Sequence, residues 1–456
     1  MAYRSINPFT EELVKDYPLH TPQQVDRALA AAHAVFRSAW SRGPIQPRLA
    51  VLARLAELLV ERATDIAIVM ATEMGRPIAH GRGEPKLCAS IADYYAKHAA
   101  DMLKPVRYPS SAGEAWVEHH PIGVLLAVEP WNFPFYQVIR VVVPAIAVGN
   151  PVLLKHAGNV PGSAALLESL IREAGAPAGA FTNLYISSEQ VSDLLGDDRI
   201  QGVALTGSET AGAAVASRAS AMLKKSTLEL GGSDVFAVLD DADIEKAARA
   251  GALARVLNAG QACTAAKRFI LHDKIADRFV AAFIEELNGF RLGDPLDERT
   301  TLGPLSSKGA VDELTRQVNA AVDHGATLRL GGKPVNRKGY FFEPTILTNI
   351  TRDNPAFYQE FFGPVAQVYV VRDDDELVAL ANDSHFGLGG AIFTSDIARG
   401  RSLASRIETG MVFINARTGT LPELPFGGVK RSGFGRELGD LGIMEFVNKK
   451  LVVVSA

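Results

Sequence analysis

Only two cysteines, Cys88 and Cys263, occur in the 456-residue chain. So few thiols exclude a disulfide-stapled scaffold and fit a reducing compartment. No apolar run approaches the ~18 residues that a membrane-spanning helix requires. Residues 1–15 lack the basic-then-apolar layout of a secretory leader. A cytoplasmic protein is the expectation. Neither sign of charge dominates: 47 basic residues stand against 51 acidic, a net of −4. Nucleic acid and membrane surfaces are therefore not expected partners. Internal repeats and low-complexity tracts are lacking too. Apolar residues make up 47% of the chain, enough for a sizeable core, and the length suggests two or three domains.

Helical spacing dominates from Thr21 to about Met102. Thr21-Pro22-Gln23-Gln24 carries a capping residue, a proline at the first helical position and a glutamine three residues after the cap. Val25, Leu29, Ala32, Phe36 and Trp40 then recur at helical intervals, as do Leu49, Leu52, Leu55, Leu58 and Leu59. Cys88, beside Leu87 and Ile91, reads as a packed core thiol.

From Gly123 short apolar runs alternate with helical ones. Strands are predicted at 124–128, 151–155, 181–186, 203–206 and 227–230, with helices at 161–174, 188–195 and 208–222. A second alternation follows Gly232, with strands at 235–239, 268–271, 365–371, 390–393 and 412–415 and a helix at 244–258. Such alternation implies an α/β protein with parallel sheets, which bind ligands beyond the C-terminal ends of their strands. Residues 107–120 and 449–454 read as extended ribbon. A bare terminal strand needs a partner edge, and a neighbouring subunit is one way to supply it.

The chemistry-bearing residues sit just after these runs. Cys263 follows a helical run in the small-residue loop Asn258–Ala262. Such a loop exposes a thiol to substrate, although a buried structural cysteine is the alternative. Glu229 ends a strand between two leucines and before Gly231-Gly232. Desolvation there would raise its pKa toward the range of a general base, unless it faces solvent. Asn132 is held in Pro130-Trp131-Asn132-Phe133-Pro134, where its amide can donate to a developing oxyanion. Thr206-Gly207-Ser208 joins a strand to a helix and would let a pyrophosphate approach the helix N-terminus. The spaced glycine fingerprint of dinucleotide sites is missing. Gly433-Phe434-Gly435 reads as a turn, because Leu438 stands in the third glycine position and no clear strand precedes it.

Taken together, these strings resemble the aldehyde dehydrogenase superfamily over nearly the whole chain. The matches are Pro130–Pro134, Lys155, Thr206–Ser208, Glu229–Gly232, Gly260–Cys263, Glu360–Pro364 and Pro425–Gly428. A narrower resemblance, to bacterial succinate-semialdehyde dehydrogenases, rests on Leu154–Ala157, Leu228–Ser233, Ala265–Ile270 and Pro422–Leu438. The resemblance implies a Rossmann-type dinucleotide-binding domain over 1–105 and 121–231. It also implies an α/β catalytic domain over 232–438 and a β oligomerisation ribbon over 106–120 and 439–456. A homodimer or homotetramer acting on a small aldehyde follows, with no metal.

The implied reaction is NAD(P)-dependent oxidation of succinate semialdehyde to succinate through a cysteine thioester. The alternatives are a general aliphatic or aromatic aldehyde dehydrogenase and a CoA-acylating semialdehyde dehydrogenase. Cys263 would be the nucleophile, Asn132 and the Cys263 backbone N–H the oxyanion donors, and Glu229 the base. Lys155 would meet the adenosine ribose, Thr206, Gly207 and Ser208 the pyrophosphate, and Glu360 the nicotinamide ribose. Leu230 and Phe362 would flank the nicotinamide, with Trp131 nearby. Tyr136, Arg140, Leu257 and Phe426 would line the substrate tunnel, and Tyr136 and Arg140 would follow Asn132 at i+4 and i+8 if a helix starts near Pro134. Glu437 matches a residue linked to proton relay, with a structural salt bridge as the alternative. Two departures stand out. Gly158 replaces a glutamate typical of NAD-preferring relatives, so NADP is slightly favoured and NAD stays open. Leu257 and Ala265 replace an arginine and a redox-switch cysteine of some relatives, leaving Arg140 as the matching substrate arginine.

Overall fold

The computed structural model describes residues 3–455. The ends of the expected first domain and ribbon, residues 1, 2 and 456, lie outside the described residues. The Thr21 capping box forms as predicted: its side chain accepts from the Gln24 N–H, and helix Pro22–Arg37 follows with its proline at the start. That helix stops before Trp40, because Ser38 ends it and caps a separate short helix, Ala39–Arg42. Helices Gln46–Glu61 and Gly83–Met102 pack against each other, and the latter buries Cys88 completely.

A six-stranded sheet forms the first α/β layer. Five parallel strands, taken in chain order, are Val124–Glu129, Val152–His156, Phe181–Asn183, Ile200–Thr206 and Lys225–Glu229. Across the sheet they run third, second, first, fourth, fifth. This is the doubly wound order, and it places a crevice where the winding reverses, between the first and fourth strands. The expected turn at Gly433 is instead a strand: Gly433–Phe434 pairs antiparallel with Leu228 and Glu229 on the sheet's edge. Its neighbours in sequence gave no strand signal because the pairing is only two residues long.

The second sheet has seven strands, mostly parallel, in the order Thr327–Leu330, Thr345–Thr348, Val365–Val371, Ala266–His272, Asp234–Val238, Gly390–Phe393 and Phe413–Ile414. Phe236, Phe269, Phe279 and Phe283 fill the core on one of its faces. The third sheet is the predicted ribbon. Strand Val447–Val454 pairs along its whole length with Glu114–Pro121 of the same chain, and Val106–Tyr108 closes the far side. Residues 439–446 do not join the ribbon. The short helix Gly439–Ile443 packs on the first core, where Tyr95 donates to the Gly439 carbonyl at 2.8 Å. An N-terminal hairpin, Tyr3–Ile6 with Leu13–Tyr17, was not predicted. Among the described residues, no helix is long and apolar enough to cross a membrane.

Candidate active site

Cys263 owes its position to an unusual backbone. Helix Ile244–Val256 gives way to a short 3-10 turn in which Asn258, Ala259 and Gly260 all have left-handed φ, at 55°, 54° and 75°. Such angles cost a non-glycine residue roughly 1 kcal/mol or more each, so surrounding contacts must hold them. Asn258 Nδ2 donates to the Asn132 carbonyl at 2.7 Å. Arg255, fully buried, donates to the carbonyls of Gly260 and Ala266 at 2.6 and 3.0 Å. Gly260 cannot be replaced, because a Cβ there would fall 2.4 Å from the Gly363 backbone.

The Pro130–Pro134 loop is fixed from both sides. Buried His156 donates from Nε2 to the Pro134 carbonyl at 2.8 Å, and burial lowers its pKa to about 4, keeping it neutral. The Glu84 carboxylate accepts from the Phe135 and Tyr136 N–H groups at 2.9 Å each, opening helix Tyr136–Val148. Glu84 is itself paired with buried Arg76. Asn132 thus stands in the turn before the helix, 3% exposed, with Nδ2 donating to the Gln261 carbonyl at 3.0 Å. Its second amide hydrogen is left for another acceptor.

Two cavities meet at Cys263. The smaller, about 300 Å³, opens at the sheet's crevice and is lined by Trp131, Asn132, Thr206, Gly207, Ser208, Leu230, Glu360 and Phe362. Seven of the nine expected cofactor residues therefore converge there. Trp131 and Phe362 meet edge to face at 5.8 Å. Ser208 caps helix Glu209–Ala221 through the Ala211 N–H. A Cβ on Gly207 would touch only Leu205, at 3.6 Å, so the space over the helix start is open. Flat aromatic walls, a helix start and a carboxylate suit a dinucleotide. Lys155 and Gly158 stand apart from this cavity. Lys155 Nζ is 6.0 Å from the centre of the Tyr3 ring, and the Gly158 carbonyl accepts from the Arg4 N–H at 2.8 Å. The unpredicted hairpin thus lies against both.

The larger cavity, about 610 Å³, holds Tyr136, Arg140, Leu257 and Phe426 as expected. Arg140, however, does not present a free charge. It pairs through Nε with Glu437, donates to the Tyr136 hydroxyl and to Thr206 Oγ1 at 3.2 Å each, and lies 4.5 Å over the Phe426 ring. The sequence reading has this arginine meeting a substrate carboxylate; in the structure its guanidinium is held by Glu437. Arg76 is likewise met by Glu84. The third guanidinium on the cavity wall, Arg417, has no carboxylate partner among the described residues. It lies in a strand-to-loop stretch that matches no motif, so the sequence offered no signal for it.

The site's electrostatics favour neutral groups at rest. Burial pushes the Cys263 thiol up to about 12, with Lys267 and Arg140 opposing and Glu360 and Glu229 adding to the rise. Glu229, 3% exposed and with no hydrogen bond to either carboxylate oxygen, is driven well above the usual carboxylate range by burial, then by Glu437. Buried Glu129, which the sequence reading overlooked, is raised for the same two reasons. Thr206 pairs in register with Glu229, and Val128 with Leu205, so Glu129 and Glu229 flank Thr206 on adjacent strands. The sequence signal for Glu129 was a lone acid closing an apolar strand.

A doubly wound sheet whose crevice opens onto a thiol, an amide and a buried carboxylate defines a cysteine-dependent dinucleotide oxidoreductase. Comparison with known proteins agrees. The Aldehyde dehydrogenase family matches residues 1–452, and the chain belongs to it. A succinate-semialdehyde dehydrogenase [NADP(+)] of Deinococcus radiodurans is 47% identical, over 99% of this chain and 94% of that protein. An Escherichia coli succinate semialdehyde dehydrogenase [NAD(P)+] is 42% identical over 98% and 97%. Among solved structures, the succinic semialdehyde dehydrogenase of Streptococcus pyogenes in complex with NADP+ is 45% identical, with a TM-score of 0.98 and full coverage of both chains.

Proposed function

We propose that this aldehyde dehydrogenase oxidises succinate semialdehyde to succinate with NADP+, and also accepts NAD+. The carrying observation is the meeting of two cavities at Cys263, one lined by Asn132 and the dinucleotide residues, the other by Arg417. In this reading the Cys263 sulfur attacks the aldehyde carbon as thiolate. Asn132 Nδ2 and the Cys263 backbone N–H hold the oxyanion, where one donor is worth ~3 kcal/mol. When bound, the oxidised cofactor supplies the hydride acceptor and a positive ring charge. Thr206, Gly207 and Ser208 would hold its pyrophosphate, Glu360 its nicotinamide ribose, Leu230, Trp131 and Phe362 its ring end, and Lys155 and Gly158 its adenosine ribose. Glu229 then takes a proton from water as that water attacks the Cys263 thioester, releasing the carboxylate and restoring the thiolate. Retention of Glu229 favours water over CoA as the acyl acceptor.

The carboxylated substrate is supported by Arg417 and by the names of the relatives. Leu257, Phe133 and Phe426 give that cavity an apolar stretch of wall, which suits a short methylene chain. The test compares succinate semialdehyde with butyraldehyde in wild type and Arg417→Ala. Wild type should prefer the acid. The variant should raise KM for the acid roughly tenfold or more, since a charged hydrogen bond is worth ~1.5–3 kcal/mol, and leave butyraldehyde alone. A wild-type preference for butyraldehyde would replace this reading with a general aliphatic activity.

A further inference from the structure

Lys267 is the outlier in its strand. Ala266–His272 is buried throughout, and its other internal cation, Arg268, ends on three backbone carbonyls, those of Ser233, Leu380 and Ala381. The Lys267 side chain is fully buried as well. Its ammonium reaches the Ala262 carbonyl at 2.7 Å, the Cys263 carbonyl at 2.5 Å and Glu360 Oε1 at 3.0 Å. An ammonium has three donors, so all are engaged. Burying a charge is costly unless it is paired, and a neutral side chain could brace two carbonyls without that cost. Two of the three acceptors belong to the nucleophile's own loop. The third belongs to the carboxylate on the dinucleotide side, which also accepts from the Gly232 N–H at 3.1 Å.

Four charged groups bear on the Cys263 thiol: Lys267 and Arg140 favour the thiolate, Glu360 and Glu229 disfavour it. Arg140 is balanced by Glu437. Lys267 is paired with Glu360 and also acts on the buried Asp234 carboxylate, while Glu360 itself bears on the thiol. We propose that Lys267 is a positioning residue that sets the reactivity of Cys263, its ammonium drawing the thiol toward thiolate from beneath the loop while Glu360 holds that influence in check. The proposal rests on Cys263 being the nucleophile.

The test is alkylation of the cofactor-free, full-length protein with iodoacetamide at pH 8, with modification at Cys263 followed by peptide mass. Cys88, fully buried, is the internal control. Lys267→Gln keeps a donor for the carbonyls and removes the charge; it should slow alkylation roughly tenfold, the effect of about one pKa unit on the thiolate fraction. Glu360→Gln should do the opposite and speed it several-fold. Wild-type reactivity in Lys267→Gln would overturn the proposal. So would slowing in both variants, which would mean that the loop had merely been disturbed. The nucleophile reading is checked separately in the same samples: alkylated wild type must lose aldehyde oxidation, whatever the variants do.

Discussion

Arg140 and Glu437 form a buried ion pair at the substrate cavity, and both members act on two further buried carboxylates, Glu129 and Glu229. The Arg140 guanidinium thus compensates an acidic cluster that includes the proposed base, with Arg436 also acting on Glu229.

Arg140→Ala should therefore lower turnover of succinate semialdehyde and butyraldehyde alike, rather than raise KM for the acid alone. Removing one member of a buried pair also destabilises by about 3–5 kcal/mol, which urea denaturation would read. A KM effect confined to the acid would return Arg140 to the role of carboxylate receptor.

Gly158→Glu should weaken NADP+ far more than NAD+. The new carboxylate would face a 2′-phosphate in a partly desolvated place, next to the hairpin residue Arg4. Equal losses in both Kd values, measured by fluorescence quenching or calorimetry, would show that Gly158 does not line the adenosine ribose site.

The ribbon should join subunits. Strand Val447–Val454 is satisfied on one side by Glu114–Pro121, yet it is the outer strand of its sheet and exposes Leu451, Val453 and Val454. Unpaired, apolar edges seek another edge. Deleting residues from Lys449 onward should give monomers or aggregates in light scattering. A homo-oligomer of unchanged stoichiometry from the truncated chain would remove the strand from the interface.

Much of this was legible in the sequence because the informative residues lie in short local patterns. The capping box at Thr21, the alternation after Gly123 and the strand-end positions of Asn132, Ser208 and Glu229 are all read within a few residues. What local patterns leave open depends on distant partners. Arg140 carries the same fork whether it meets a substrate or Glu437, nearly 300 positions away, and only the fold decides. Lys267 and Glu129 look like stray charges in apolar strands until the loop and the neighbouring strands surround them. The hairpin at Tyr3–Tyr17 is exposed along its second strand, so it has no apolar alternation to betray it.

The central claim is a covalent acyl intermediate on Cys263, resolved by Glu229. Burial holds the Glu229 proton well above the usual carboxylate range, so wild-type deacylation should quicken as pH rises through the raised pKa and this carboxyl is freed to act as base. Glu229→Gln cannot follow that rise. The decisive measurement is rapid-quench mass spectrometry of Glu229→Gln mixed with NADP+ and succinate semialdehyde. One burst of NADPH per site, followed by slow turnover with a succinyl group on the Cys263 peptide, is the predicted result. A burst with the label elsewhere, or unchanged steady-state turnover with no acyl group on Cys263, would contradict it.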